Sequence, residues 1–419
     1  MSFYQKTRMD GRKKRGIIES VMKMDVNDIS KTMQRYLANG EIHEAELMVR
    51  KDDQLVYDAG WNKSCDRPIY RMMSMTKPVV GVAVMMQVEK GVIGLDDPIS
   101  KYLPAFKDMG VIRSRLFTIR KTKSNLLWIL GVLIRLPGIL LRDICKMKTM
   151  PAKREITVRD LLSHASGLEQ GLAGMFAMMK DKRMYPTLAD RVEKLSHYGL
   201  DFDPGTDTGY SPLAGFDLLL RILEVVTGEE ASEHLKRVIF EPLEMQDACF
   251  RLSEEQKPRL VGLYKRSRGR LREVDAEKKA SQFMCRGERY VSGSGGLYCT
   301  IRDYENFARM LCNEGEFHGK RLLQPETVRL MHQEAQAVHL EPEPGYTWGL
   351  SVKIRQNKEK GGFACTEGTY GWSGAYGTHF FVSPQDKLEC VLTLNRSDVG
   401  GSGSYISKKI EELVFGIFS

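Results

Sequence analysis

Strand-like segments lie at both ends of this 419-residue chain, and helical patterns fill its middle. Near the start, Glu46-Leu47-Met48-Val49-Arg50 and Gln54-Leu55-Val56-Tyr57 flank Lys51-Asp52-Asp53 and read as a β-hairpin, led by a polar helix over 17–40. Toward the end, Thr347–Ile354, Gly377–Val382 and Leu388–Leu394 read as strands and Ile406–Phe418 as a closing helix. Between them, helical patterns cover Thr157–Leu162, Leu213–Val226 with its stop at Gly228, Ala231–Phe240 and Ile301–Leu311. This order implies one domain of sheet and helix built by the two termini, with a mainly helical subdomain inserted. The expected division is a basic N-terminal segment (1–27), an α/β domain (28–110 and 285–419), an insertion (111–155) and a helical subdomain (156–284). Residues 255–290 are charged, lack apolar periodicity and are expected to be loops.

The charge is concentrated. Between Val111 and Glu155 eleven basic side chains face only Asp143 and Glu155, which accounts for the whole formal excess of +9. A protein basic in one segment does not carry the diffuse footprint of nucleic-acid binding. Within that segment, residues 126–141 (LLWILGVLIRLPGILL) are apolar but broken by Arg135 and Pro137. A membrane-spanning helix needs about 20 apolar residues, so none is expected here. The segment is expected to be a flap that shapes the site entrance for an apolar group, with peripheral contact to an anionic membrane as a second role. A buried helical hairpin is the alternative. The N-terminal stretch is basic without a following apolar run, so no secretory signal is expected and the expected compartment is the cytoplasm. Eight cysteines show no C-x-x-C spacing and eight histidines no H-E-x-x-H, so neither a metal nor a cofactor is expected.

Ser74-Met75-Thr76-Lys77 carries the chemistry. Residues three apart on a helix share a face, so Lys77 can lie beside the Ser74 hydroxyl. A serine is a weak nucleophile until a neighbouring base takes its proton, and a desolvated lysine can serve. Pro78 fits only the first turn of a helix, and Val79, Val80, Val82, Ala83, Met85, Met86 and Val88 give an apolar face that runs to Gly91. Ser74 is thus expected at the helix N-terminus, where free N–H groups favour developing negative charge. Ser20-Val21-Met22-Lys23 has the same spacing but neither a strand before it nor a cap around it. Tyr210, on the turn-rich stretch Pro204-Gly205-Thr206-Asp207-Thr208-Gly209-Tyr210-Ser211-Pro212, is the candidate proton shuttle.

Five blocks resemble those of the class C β-lactamase-related serine hydrolases, in that family's order and spacing. They are MMSMTKPVVGVAVMMQVEKGVIGLDDPISKYLPAF, ITVRDLLSHASGL, PGTDTGYSPLAGFDLLLRILEVVTGE, SGSGGLYCTIRDYENFARML and GWSGAYGTHFFVSP. The resemblance covers about residues 28–419 apart from 111–150. It implies an α+β, penicillin-binding-protein-like fold, an antiparallel sheet flanked by helices with an inserted helical subdomain. It also implies Ser74 as nucleophile, Lys77 as its partner and Tyr210 as the tyrosine of Y-x-N. Trp372-Ser373-Gly374 stands at the third motif, on an edge strand beside the site. The oxyanion hole would be the N–H groups of Ser74 and Ala375.

Two departures from the family pattern direct the reading. The asparagine of Y-x-N is Pro212, so a side chain that would bind a substrate amide is missing. The third motif opens with Trp372 rather than lysine or histidine, so the cation that would hold a substrate carboxylate is missing. Tyr304-Glu305-Asn306 spells Y-x-N but lies in a helix of another block, and His164 is expected to fix a loop. Trp372, Ser373, Gly374 and Pro212 are the expected substrate-binding positions. The expected activity is cleavage or transfer of an ester acyl group from a small molecule through a Ser74 acyl-enzyme. A β-lactamase or D-amino-acid peptidase, and a non-catalytic ligand- or membrane-binding member, are the alternatives.

Overall fold

The hairpin at the start of the chain finds its neighbour at the far end. In the computed structural model, which describes residues 24–112, 149–171, 174, 185–275, 289–401 and 403–419, β1 (Ala45–Lys51) pairs with β2 (Gln54–Trp61). On its other side it pairs with a C-terminal strand, Ala45 opposite Leu394 and Lys51 opposite Leu388. With β3 (Tyr346–Trp348), β4 (Lys353–Arg355), β5 (Tyr370–Ser373), β6 (His379–Ser383) and β7 (Leu388–Leu394), the sheet order is β3-β4-β5-β6-β7-β1-β2. Every neighbouring pair is antiparallel.

Side-chain alternation sends the strands' apolar residues to two cores. Leu47, Val49, Phe381, Leu392 and Leu394 meet Ile29 and Met33 of α1 (Val26–Ala38) and Ile410, Val414 and Phe415 of the C-terminal helix. Met48, Phe380, Val382 and Val391 face the other way, toward α2 (Thr76–Glu89) and a larger core. That core also takes in α3 (Val158–Leu162), α4 (Leu188–Leu195), α5 (Ala214–Thr227) and α6 (Ile301–Cys312). With α7 (Tyr405–Phe418) on the first face, the architecture is an α+β fold with an antiparallel sheet flanked by helices. Among the described residues, no helix is long and apolar enough to cross a membrane.

Helix α2 is buried nearly all round rather than along one face, with Val79, Val80, Val82, Ala83, Val84 and Met85 fully enclosed. β-Branched valines are mediocre helix formers, so tertiary packing rather than propensity stabilises this helix. Capping boxes start α1 at Asp25, α3 at Thr157 and α6 at Thr300.

Several expectations are corrected. Residues 347–354 form two strands, because Ser351 turns the chain with a φ of +73° and β3 folds back on β4. Tyr370–Ser373 is an interior strand rather than an edge one. Its Trp372–Ser373 end nonetheless pairs with β6 alone, since β4 stops opposite Gly371. The stretch expected as loops contains a hairpin, Leu263–Ser267 against Arg270–Val274, turned by Arg268 and Gly269 at positive φ. Its outward charges hid the strand pattern. Of the polar helix expected over 17–40, α1 occupies Val26–Ala38 and residues 17–23 lie outside the described residues, and the Ala231–Phe240 helix changes to a π-turn after Leu235. The ends of the basic insertion meet as a short ladder, Gly110–Ile112 on Thr149–Pro151. Residues 113–148 of the flap lie outside the described residues, as does Ser20-Lys23.

Glu411 of α7 ties the C-terminal helix to the sheet. It is ion-paired with Arg355 of β4 and lies 2.9 Å from His379 Nε2 of β6. Burial alone would push its carboxyl up, but Arg355 and His379 more than offset that and hold it at about 2. A carboxylate whose folded pKa is depressed contributes stability that is complete above its unfolded value and lost as pH falls through the folded one. Glu411→Gln should lower stability by about 3–5 kcal/mol at pH 7, because Arg355 is left buried and unpaired. In urea titrations, the gap between wild type and variant should narrow as pH falls from 4.5 toward 2. A constant gap would show that the ionised pair is not the source.

Candidate active site

The turn before α2 is clamped from both sides. Met73 adopts a φ of +50°, a conformation that costs a non-glycine residue on the order of 1 kcal/mol, and Ser74 follows it in a 3₁₀ turn over Met73–Met75. The helix proper starts at Thr76, two residues later than the sequence suggests. The Thr76 hydroxyl donates to the Met73 carbonyl at 2.7 Å and accepts from the Leu297 N–H at 3.1 Å. Met72 N–H donates to the Leu297 carbonyl at 3.0 Å. The glycine-rich turn Ser292–Gly296 thereby grips the Ser74 turn. It needs a glycine at 293, where a Cβ would stand 2.3 Å from the Phe216 carbonyl oxygen.

Lys77 is fully buried. Its Nζ donates to the Ser294 carbonyl at 2.7 Å and the Pro212 carbonyl at 2.9 Å, and lies 3.3 Å from Ser74 Oγ. Two of the amine's three bonding directions are thus fixed on backbone oxygens. The third faces the serine, as an N–H when the group is charged and as a lone pair when it is neutral. Tyr210, half-buried, places its hydroxyl 2.6 Å from Ser74 Oγ. Lys77 Nζ is also 5.1 Å from the Tyr210 ring centre, so hydroxyl, amine and phenol form one cluster.

The loop that carries Tyr210 hangs on His164. The His164 carbonyl accepts from Thr208 Oγ1 at 2.9 Å and from Gly209 N–H at 3.2 Å, and its Nδ1 accepts from Ser211 N–H at 3.2 Å. Burial, with Lys77 nearby, pushes the imidazole well below its usual range and keeps it neutral. Its ring is 4.3 Å from that of Trp348, and Trp348 lies 4.8 Å from Trp372. The Trp372 indole N–H approaches the Tyr210 oxygen at 3.4 Å. An aromatic wall of Trp348 and Trp372 therefore stands where the family pattern would set a cation, with the Lys353 amine 5.5 Å from the Trp372 ring centre.

The other expected positions separate. Ser373 does not face the site. Strand alternation turns its hydroxyl to the α7 side, 2.7 Å from His379 Nδ1. Gly374 is forced by space, since a Cβ would fall 2.3 Å from the Met72 carbonyl oxygen and 2.2 Å from Thr378 Oγ1. That proximity brings the exposed turn at Ala375 close to the Ser74 turn. Pro212 contributes its carbonyl to Lys77 rather than a side chain. Tyr304 is a fully buried residue whose hydroxyl donates to the Met75 carbonyl at 2.8 Å, and Asn306 bonds Leu243, so neither joins the cluster. Sequence reasoning missed the carbonyl of Ser294 and the indole of Trp348. The glycine turn marked the first, and nothing in the local pattern marked the second.

Comparison with known proteins places the chain in one family. The Beta-lactamase family model matches residues 29–414. The chain is 27% identical over 340 residues to protein Rv1367c of Mycobacterium tuberculosis, with 76% of this chain and 75% of that one covered. It is 28% identical over 326 residues to the lovastatin esterase of Penicillium rubens, covering 72% and 71%. Among solved structures, EstCE1, a hydrolase with promiscuous acyltransferase activity, superposes with a TM-score of 0.73 at 21% identity, over 93% of this chain and 98% of that one. The chain therefore belongs to the beta-lactamase family and is a serine hydrolase of that fold.

Proposed function

We propose that this protein hydrolyses or transfers an ester acyl group through a covalent intermediate on Ser74. The observation that carries the reading is the position of Ser74 Oγ, 2.6 Å from the Tyr210 phenol and 3.3 Å from the Lys77 amine. Ser74 Oγ attacks the ester carbonyl while its proton passes to the Lys77–Tyr210 pair. The N–H groups of Ser74 and Ala375 receive the developing oxyanion, a contribution typically worth about 10² to 10³ per donor. Collapse breaks the bond to the leaving oxygen, and Tyr210 returns the proton to it as the alcohol departs. Water or an acceptor alcohol then repeats the steps in reverse order and frees Ser74.

The choice of ester over lactam or peptide rests on what the site lacks. Pro212 offers no amide to a substrate amide, and the Trp372 indole offers no charge to a substrate carboxylate. The esterase and acyltransferase named among the similar proteins support the same choice. A small-molecule ester is the proposed substrate, and residues 111–155 remain the proposed entrance flap.

Fluorophosphonate labelling with intact-mass detection should add one label to the wild type and none to Ser74→Ala. That variant should lose p-nitrophenyl acetate turnover by about 10³-fold or more. Retained turnover in Ser74→Ala would remove the acyl-enzyme scheme. Tyr210→Phe should lower kcat by about 10² to 10³ with its thermal transition close to wild type, the range expected for a lost general acid–base. If kcat falls less than about threefold, Tyr210 is not the shuttle. Nitrocefin turnover above the ester rate would move the assignment to a β-lactamase.

A further inference from the structure

The Ser294 carbonyl that holds Lys77 is itself held, and one buried carboxylate does it. Asp217 lies on α5, one residue after Phe216, whose ring centre is 5.7 Å from Lys77 Nζ, and its side chain is fully buried. It accepts from Tyr290 Oη, from Ser292 Oγ at 3.1 Å and from Ser294 N–H at 3.2 Å. Ser294 in turn donates its own hydroxyl to the Leu213 carbonyl at 2.6 Å and presents its carbonyl to Lys77 at 2.7 Å. A continuous line of bonds therefore runs from the Asp217 carboxylate through residue 294 to the amine beside the nucleophile.

We propose that Asp217 is a positioning residue: through Ser294 it fixes the Lys77 amine beside Ser74, and its buried negative charge balances that amine's positive one. The proposal rests on the Ser74–Lys77–Tyr210 reading. Among the described residues, Lys77 has carbonyls but no carboxylate as bonded partners, so its charge must be compensated at longer range. Asp217 is placed to do that. The charged and titratable groups that face it are Lys77 from α2, Tyr290 from the segment before the glycine turn, Arg191 of α4 and Glu169. Arg191 is already paired with Glu169 at 3.0 Å, and the net charge of that pair is zero. Burial pushes the Asp217 carboxyl up, and the Tyr290 hydroxyl, Arg191, Ser292 and Lys77 pull it back toward the ionised form.

The test is the pH profile of kcat/KM for p-nitrophenyl acetate, measured on the full chain alongside fluorophosphonate labelling. Removing a negative charge near Lys77 favours the neutral amine, so in Asp217→Asn the acid limb should move to lower pH by about one unit. Its plateau should fall about 30-fold with KM within about twofold of wild type, since the lost order affects the reacting groups rather than substrate binding. Tyr290→Phe removes one donor from the carboxylate without touching its charge, so the acid limb should stay in place while the plateau falls about fivefold. An unmoved acid limb in Asp217→Asn overturns the charge balance even if the plateau falls, since a purely structural support would lower the plateau alone. If Asp217→Asn does not fold, an unchanged plateau in Tyr290→Phe overturns the proposal instead. Failure of the wild type to label at Ser74 would sink the underlying acyl-enzyme reading.

Discussion

Enclosing the Lys77 amine completely is the constraint on which the rest of the site depends. An ammonium taken from water loses several kcal/mol of solvation unless the protein supplies oxygen in its place. Here the replacements are backbone carbonyls at Pro212 and Ser294, 135 and 217 residues away along the chain. Neither carbonyl can be placed alone. The first needs the Tyr210 loop to be pinned on His164, and the second needs a glycine-rich turn flat enough to lie against α5. The same two segments carry Tyr210 and grip the Ser74 turn. Burying the amine and aligning the nucleophile are therefore one structural problem with one solution.

Much of this is legible in the sequence where local rules decide. Pro78 and the valine run announce α2, Thr157 and Thr300 are capping residues, and the terminal strand patterns imply a sheet closed by both ends of the chain. Ser74, Lys77 and Tyr210 follow from spacing and from the family resemblance, and the structure brings them within bonding reach. What stays hidden depends on partners distant in sequence. A strand pattern over 347–354 cannot reveal that Ser351 reverses the chain, because positive φ at a serine is set by packing rather than propensity. Ser373 reads as part of a motif. Its direction follows from its pairing with His379, which fixes which face of the sheet it joins. Backbone acceptors such as the Ser294 carbonyl leave no trace in residue identity at all.

The third-motif strand shows how a sheet divides labour by alternation. Trp372 turns toward Tyr210, while Ser373, one residue later, turns to the C-terminal helix and meets His379. His379 lies against Glu411, which also binds Arg355, so the strand end that frames the site is braced from behind by α7. On the site-facing side Trp372 offers its indole N–H, a donor without charge. Such a donor can orient the Tyr210 oxygen.

Burial also assigns directions to the proton in the proposed scheme. Lys77 is sealed, with two bonding directions occupied by carbonyls, so it exchanges protons only across the gap to Ser74 and its neighbour Tyr210. Tyr210 and Ser74 are both only partly buried, and they form the cluster's boundary with the substrate side. A proton taken from Ser74 can reach a departing alcohol only through a group that touches both the buried pair and the substrate. The Tyr210 hydroxyl, 2.6 Å from Ser74 Oγ, meets that requirement, whereas Lys77 has no path of its own to the leaving oxygen. The amine is then the electrostatic reference of the site and the phenol its carrier. This division follows from which side chain the helix encloses and which the loop leaves open, before any difference in their intrinsic basicity is considered.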